Sequence, residues 1–287
     1  MLLILFSYII ILFVFLTFGD IFVTLYYKFC KQDEHYSLLE LFLLGMILVT
    51  IILEITSLWL PSNHYIMLAY IILSILYWIF NQQHFYSIYQ SVITFFKDFT
   101  TIQWILLIMF TLIITSFCVW GYAYIDSLFY YIQSVIWNET YPVVPGVANL
   151  EERLGFNSNF SLISAIFTFS FVNKDAIFTM HVLFAVLLLL WAFREMTYSR
   201  FEIKRTVMFI LLITYIGWFS HFYYTITTDI LPNLILFYIV AKTVLYPQKQ
   251  KSKYLLYLIL SAYLVTLKLS LAPFSLFIYI YFFLSAL

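Results

Sequence analysis

The chain has 287 residues, of which 64% are hydrophobic and 22% aromatic, with 14 Lys+Arg, 14 Asp+Glu and a formal net charge of +0. Only 10% of residues are charged, against about 25% in a soluble domain. So few charges cannot cover a water-facing surface without large apolar patches, which excludes a soluble globular enzyme, a disordered chain and a nucleic-acid-binding domain that works by bulk positive charge.

The expected solvent is therefore the bilayer. Long unbroken apolar runs such as HVLFAVLLLLWAF at 181–193 point to helices, not to the polar–apolar alternation of a transmembrane barrel. The first run, 2–27, is too long for a signal-peptide core and lacks a basic start and a small-residue cleavage site, so it reads as a retained span. Further spans are expected at 38–60, 64–80, 101–121, 176–193, 206–224, 230–247, 253–270 and 272–287. Pro61 suits a helix start between the second and third, and Pro273 suits a kink or the opening of the last helix. Residues 81–100 are more polar and are expected to lie along the membrane surface. Cys30 and Cys118 fall near opposite membrane faces, so no disulfide is expected between them.

The chain reads as one transmembrane domain over 1–287, with N-terminal helices in 1–100, an external loop region at 121–175 and C-terminal helices in 176–287. The loop region holds Gly121, Gly146 and Gly155, with Pro142 and Pro145. Within it, Leu128, Tyr131, Ile132, Val135 and Ile136 recur at helical spacing, which predicts an amphipathic helix in the interface plane.

Residues 158–172 are apolar but short. Charge asymmetry decides whether they span, because cytoplasmic loops collect Lys and Arg. If the segment spans, only Lys28, Lys31, Lys97, Lys174 and Lys268 share the inner side. If it does not, Lys28, Lys31, Lys97, Arg194, Arg200, Lys204, Arg205, Lys242, Lys249, Lys251 and Lys253 are inside, leaving Arg153, Lys174 and Lys268 outside. The second arrangement is the more asymmetric. It predicts about nine spans, one non-spanning apolar segment and an external N-terminus.

That topology gathers Asp126, Glu151, Glu152, Arg153, Asp229 and Lys268 on the outer side. Ionisable groups at membrane depth are costly and often functional. Each also has a simpler reading. Asp126 and Asp229 suit helix caps, and Lys268 suits a side chain reaching for headgroups. Glu54 and Asp20 suit helix pairing, while His181 and His221 are not assigned as metal ligands. Trp and Tyr at span ends suit an interfacial belt. Asn138-Glu-Thr140 and Asn159-Phe-Ser161 fit the loose glycosylation pattern. An external carboxylate can act as a general base or bind a divalent ion, and a nearby cation can hold a phosphate.

The stretch from Tyr122 to Phe160 resembles a family of bacterial multi-pass membrane proteins similar to the GT-C glycosyltransferases. The resemblance rests on Asp126, on Phe129-Tyr130 with Gln133, on the Tyr-Pro-Val-Val-Pro-Gly loop running from Tyr141 to Leu150, and on Arg153 with Phe156-Asn157-Ser158. A Thr-x-Asp corner at Thr227 to Pro232 and Thr-Leu-Lys-Leu-Ser at Thr266 to Ser270 extend it. It implies an all-α, GT-C-like fold in a bacterial inner membrane. It also implies sugar transfer from a polyprenyl-phosphate donor to an envelope glycan or lipid-linked acceptor on the outer face. Asp126 and Asp229 would then be the catalytic pair, or the ligands of a divalent metal ion if one is used. Lys268 and Arg153 would contact the donor phosphate, with Glu151, Glu152, Gln133 and Asn157 as secondary candidates. The chain departs from many GT-C enzymes in having three expected spans before the acidic loop and no adjacent acidic pair beside Asp126. The partners implied are membrane lipids and lipid-linked glycans, with no nucleic acid. The same inventory suits a transporter, flippase or polymerase of lipid-linked glycans, or a non-catalytic membrane subunit.

Overall fold

The structure is a computed structural model and describes residues 1–30, 36–120, 125–173, 175–246 and 253–286. The described residues form helices and connections, with no strand among them. The helices are α1 (Leu2–Cys30), α2 (Leu38–Thr56), α3 (His64–Phe80), α4 (Gln82–Phe96), α5 (Thr101–Ser116), α6 (Ile132–Thr140), α7 (Asn159–Ala165), α8 (Met180–Tyr198), α9 (Ile203–Trp218), α10 (Ile230–Leu245), α11 (Tyr254–Leu267) and α12 (Ala272–Ala286).

Local chemistry sets several of these boundaries. Ser37 and Glu40 form a capping box at the start of α2, and Thr100 and Gln103 form another at α5, each satisfying helix-end donors that have no intrahelical partner. Asn63 caps α3 by accepting from Tyr65 N–H at 3.0 Å, so Pro61 lies in the turn before the helix and not at its first position. Pro273 sits in the first turn of α12, where its missing N–H costs nothing.

Each of the nine expected spans coincides with a helix, but most of the helices are shorter than the apolar runs that predicted them. Three are long and apolar enough to cross a membrane: Leu2–Phe29, Leu38–Thr56 and Met180–Tyr198. A fourth appears if α3 and α4, bent by 101°, are one broken span. Helices such as α5 and α11, with 16 and 14 residues, rise only about 24 and 21 Å, less than the roughly 30 Å of a hydrocarbon core. The chain is thus an all-α protein with several membrane-type helices.

The core is built around α1, α2 and α8. Gly19 and Gly45 let α1 and α2 meet backbone to backbone. A Cβ at Gly45 would lie 1.7 Å from Phe15 O, and one at Gly19 would lie 2.0 Å from Leu41 O. Such close approach is how small residues join helices where lipid supplies no hydrophobic drive. Phe15 packs edge-on against Phe42 at 5.1 Å and Phe167 at 5.5 Å. Ser7 on α1 bonds Thr179, just before α8, at 2.7 Å. His181 is buried in this core, stacked on Tyr223 and within 3.3 Å of its carbonyl. By contrast α3 leaves Leu68, Ile72, Leu73, Ile75, Leu76 and Ile79 exposed, an apolar face suited to lipid and not to water.

The segment expected not to span is α7 and the turn after it. Seven residues rise about 10 Å, and Phe160, Ile163, Ile166, Phe167 and Phe169 are almost fully buried. The chain reverses there, with Ile177 N–H bonding Thr168 C=O at 2.9 Å. The amphipathic helix expected after Asp126 begins with a π turn over Ser127–Tyr131. The wider turn shifts the register. Ser127, Tyr130 and Val135 face the protein, while Leu128 and Ile136, expected on the same face as Val135, are exposed with Ile125 and Phe129.

Polar groups collect at two opposite ends, as an alternating bundle requires. One end holds the C-terminal ends of α2 and α11, the N-terminal end of α10, and the π turn. The other holds the N-terminal ends of α2 and α11 and the C-terminal ends of α8 and α10. There Glu40 is fully buried, with Lys253 Nζ at 2.6 Å and Lys242 Nζ at 3.7 Å.

Candidate functional site

The first end contains a cavity of about 740 Å³, lined among others by Glu54, Asp126, Tyr130, Tyr131, Arg153, Asn157, Thr228, Asp229 and Lys268. Three connections assemble it. Ser127 Oγ donates to Ile226 C=O at 2.8 Å and accepts from Thr225 Oγ1 at 2.9 Å. Tyr131 OH and Thr228 Oγ1 lie 2.9 Å apart. Together these tie the π turn carrying Asp126 to the 225–229 corner carrying Asp229. Ser158 Oγ donates to Leu267 C=O at 2.5 Å, which docks the loop carrying Arg153 against the end of α11. Lys268 follows at once in extended conformation (φ −151°, ψ 111°). Asn157 takes the left-handed conformation at φ 43°, one that Asn tolerates better than most residues, and so turns the chain from the Arg153 loop into α7.

The charges form two pairs. Arg153 Nη1 is 3.9 Å from Asp126 Oδ1, and its guanidinium stands 5.5 Å from the centre of the Tyr130 ring. Lys268 Nζ contacts Asp229 Oδ1, while Asp229 Oδ2 accepts from Thr227 Oγ1 at 3.1 Å. These side chains are 30–49% exposed, so water screens both pairs and each adds at most about 1 kcal/mol to folding. Burial, then Tyr131, Asp126 and Asp229, push the Tyr130 phenol above its ordinary value, so it stays a neutral hydroxyl donor.

Neither aspartate caps a helix. Asp126 and Asp229 both have helical backbone angles and make no side-chain capping bond. Of the residues expected at the site, Asp126, Arg153, Asn157, Asp229 and Lys268 line the cavity. Glu151 stays outside it, 3.9 Å from Arg153 Nε. Glu152 and Gln133 are exposed and do not line it. The two aspartates do not fit a divalent metal ion: among the described residues no group of three or more His, Cys, Asp or Glu side chains converges, and each aspartate is already engaged by a cation.

Glu54, expected to pair helices, lines the cavity from α2, with its Oε1 accepting from Asn159 Nδ2 at 2.5 Å. That bond also occupies the amide of the second glycosylation pattern. Tyr130, part of the motif that carries the resemblance, and Tyr131, expected on the interfacial helix, line the cavity too. A smaller chamber of about 230 Å³ adjoins the cavity beneath the Pro142–Val147 loop, sharing Ser134, Gly155, Asn157, Ser158 and Ser161 with it.

The model of a family described as a domain of unknown function (DUF8201) matches residues 1–286. No curated protein and no solved structure matches the chain.

Proposed function

We propose a lipid-phosphate chemistry for this chain, which belongs to the family described as a domain of unknown function (DUF8201). It is a membrane glycosyltransferase-like protein that moves a sugar from a polyprenyl-phosphate donor to an envelope glycan or lipid-linked acceptor. The observation that carries this reading is the pairing of Arg153 with Asp126 and Lys268 with Asp229 in one cavity. A phosphate needs cations that are held in place yet reachable, and both are partly exposed. The exposed stripe of Ile125, Leu128, Phe129 and Ile136 beside it suits a substrate whose tail stays in lipid.

In this reading nine helices cross a bacterial inner membrane and the cavity faces outward. The short helices are accommodated by local thinning of the bilayer. Arg194, Arg200, Lys204, Arg205, Lys242 and Lys253 lie toward the far end, in keeping with a cytoplasmic side. Lys31, Lys174, Lys249 and Lys251 lie outside the described residues. In α4, which turns 101° away from α3 and buries no residue, the polar stretch rests on that inner surface.

Native mass spectrometry with added undecaprenyl phosphate tests the chemistry. An adduct is expected that undecaprenol does not give, and it should fall at least about tenfold when Arg153 and Lys268 are both changed to Ala (1.4 kcal/mol per tenfold). Equal binding of phosphate and alcohol would sink the reading. For the topology, cysteines replacing Asp126, Arg153, Asp229 and Lys268 in turn, in a Cys30→Ser, Cys118→Ser background, should all react with an impermeant thiol reagent from outside. Labelling at 229 only from the cytoplasm would break it.

A further inference from the structure

We infer that Glu54, not Asp126 or Asp229, is the carboxylate that accepts the proton of the acceptor hydroxyl. The inference rests on the transferase reading above. Three carboxylates line the cavity. Two of them face a cation, Asp126 with Arg153 and Asp229 with Lys268. A carboxylate that holds a cation has part of its charge and lone pairs committed, and its work is to fix that cation where a donor phosphate can reach it.

Glu54 differs from both. It has no cationic partner among the described residues. Its one hydrogen bond comes from a neutral amide, Asn159 Nδ2, which leaves Oε2 without a protein partner among the described residues. Asn159 is only 8% exposed. It opens α7, whose cap Ser158 is itself tied to Leu267. The Glu54 carboxylate is thus held through one oxygen by a buried group, lines the cavity, and keeps its other oxygen free of hydrogen bonds among the described residues. That combination of a fixed orientation and an uncommitted oxygen is what a general base needs. It also enters from α2, a different element from those that carry the two ion pairs.

The step balances as a single displacement. The acceptor oxygen forms a bond to the anomeric carbon, and the bond from that carbon to the phosphate oxygen breaks. The bonding pair leaves on the polyprenyl phosphate, whose added charge meets Arg153 and Lys268. The hydroxyl proton passes to Glu54 and then to water.

The test uses the full chain in proteoliposomes, with a panel of undecaprenyl-phosphate hexoses and pentoses and octyl glucoside as acceptor. Release of undecaprenyl phosphate is followed by mass spectrometry. Glu54→Gln keeps the shape and the contact with Asn159. It is expected to lower turnover about 100-fold or more while leaving undecaprenyl phosphate binding within about twofold. Glu54→Asp, which keeps the charge, should restore part of the rate. Full turnover in Glu54→Gln, together with loss of turnover in Asp126→Asn, would overturn the inference and return the base to Asp126. Absence of turnover by the unsubstituted protein across the panel would overturn the transferase reading itself, and the inference with it.

Discussion

The two ends of the molecule use the same side-chain types to opposite effect. At one end Glu40 is fully buried between Lys242 and Lys253, whose side chains are 13% and 22% exposed. Ser37 N–H and Tyr238 OH also donate to its carboxylate. At the other end Asp126 and Asp229 pair with one cation each across a cavity open to solvent. Burial turns a carboxylate and its lysines into a strut, because removing a partner strands a charge in low dielectric. Exposure leaves the same pairing weak and exchangeable, which is the condition for a ligand to compete for it. The comparison shows that proximity of opposite charges does not mark a site. The water around them does.

Glu40→Gln is the sharpest way to break this contrast. Two lysines would lose the carboxylate they share, and losing one partner of a buried pair costs about 3–5 kcal/mol. Thermal unfolding in detergent should show a large drop in Tm or a loss of monodisperse protein. A Tm equal to that of the unsubstituted protein would mean that the Glu40 cluster is as wet as the cavity pairs. Asp229→Asn should do far less to stability, under about 1 kcal/mol, because Lys268 can turn to solvent. Its effect belongs to undecaprenyl phosphate binding, where the freed Lys268 ammonium changes the affinity without a change in Tm. A Tm loss as large as that of Glu40→Gln would make the Asp229–Lys268 pair structural and erase the distinction.

How much of this was legible beforehand differs by level. The helices were, because unbroken apolar runs leave the backbone no partner in lipid but itself. Their lengths were not, because Ser116, Leu267 and Trp218 end helices inside apolar sequence where hydropathy sees no boundary. The gathering of Asp126, Arg153, Asp229 and Lys268 followed from counting basic residues on each side. The place of Glu54 in the cavity did not, because its hydrogen-bond partner there, Asn159, is 105 positions away. Glu40 raised no signal either, since one acid at a helix start reads as a cap. It is a cap for Ser37, and only the fold brings Lys242 and Lys253 to it. The π turn at Ser127–Tyr131 escaped because periodicity arguments assume 3.6 residues per turn, and its wider turn moves Leu128 off the face of Val135.

The sequence by itself determined the solvent, the helical class, the order of the segments and the short list of polar residues worth testing. It could do so because composition and apolar run length answer directly to the cost of placing charge and bare backbone in hydrocarbon. Only the tertiary structure decided which charges are buried and which are wet, which cavity carboxylate lacks a cation among the described residues, and where the chain reverses after α7 inside the core. Those properties depend on distances between residues far apart in the chain, and no local pattern records them.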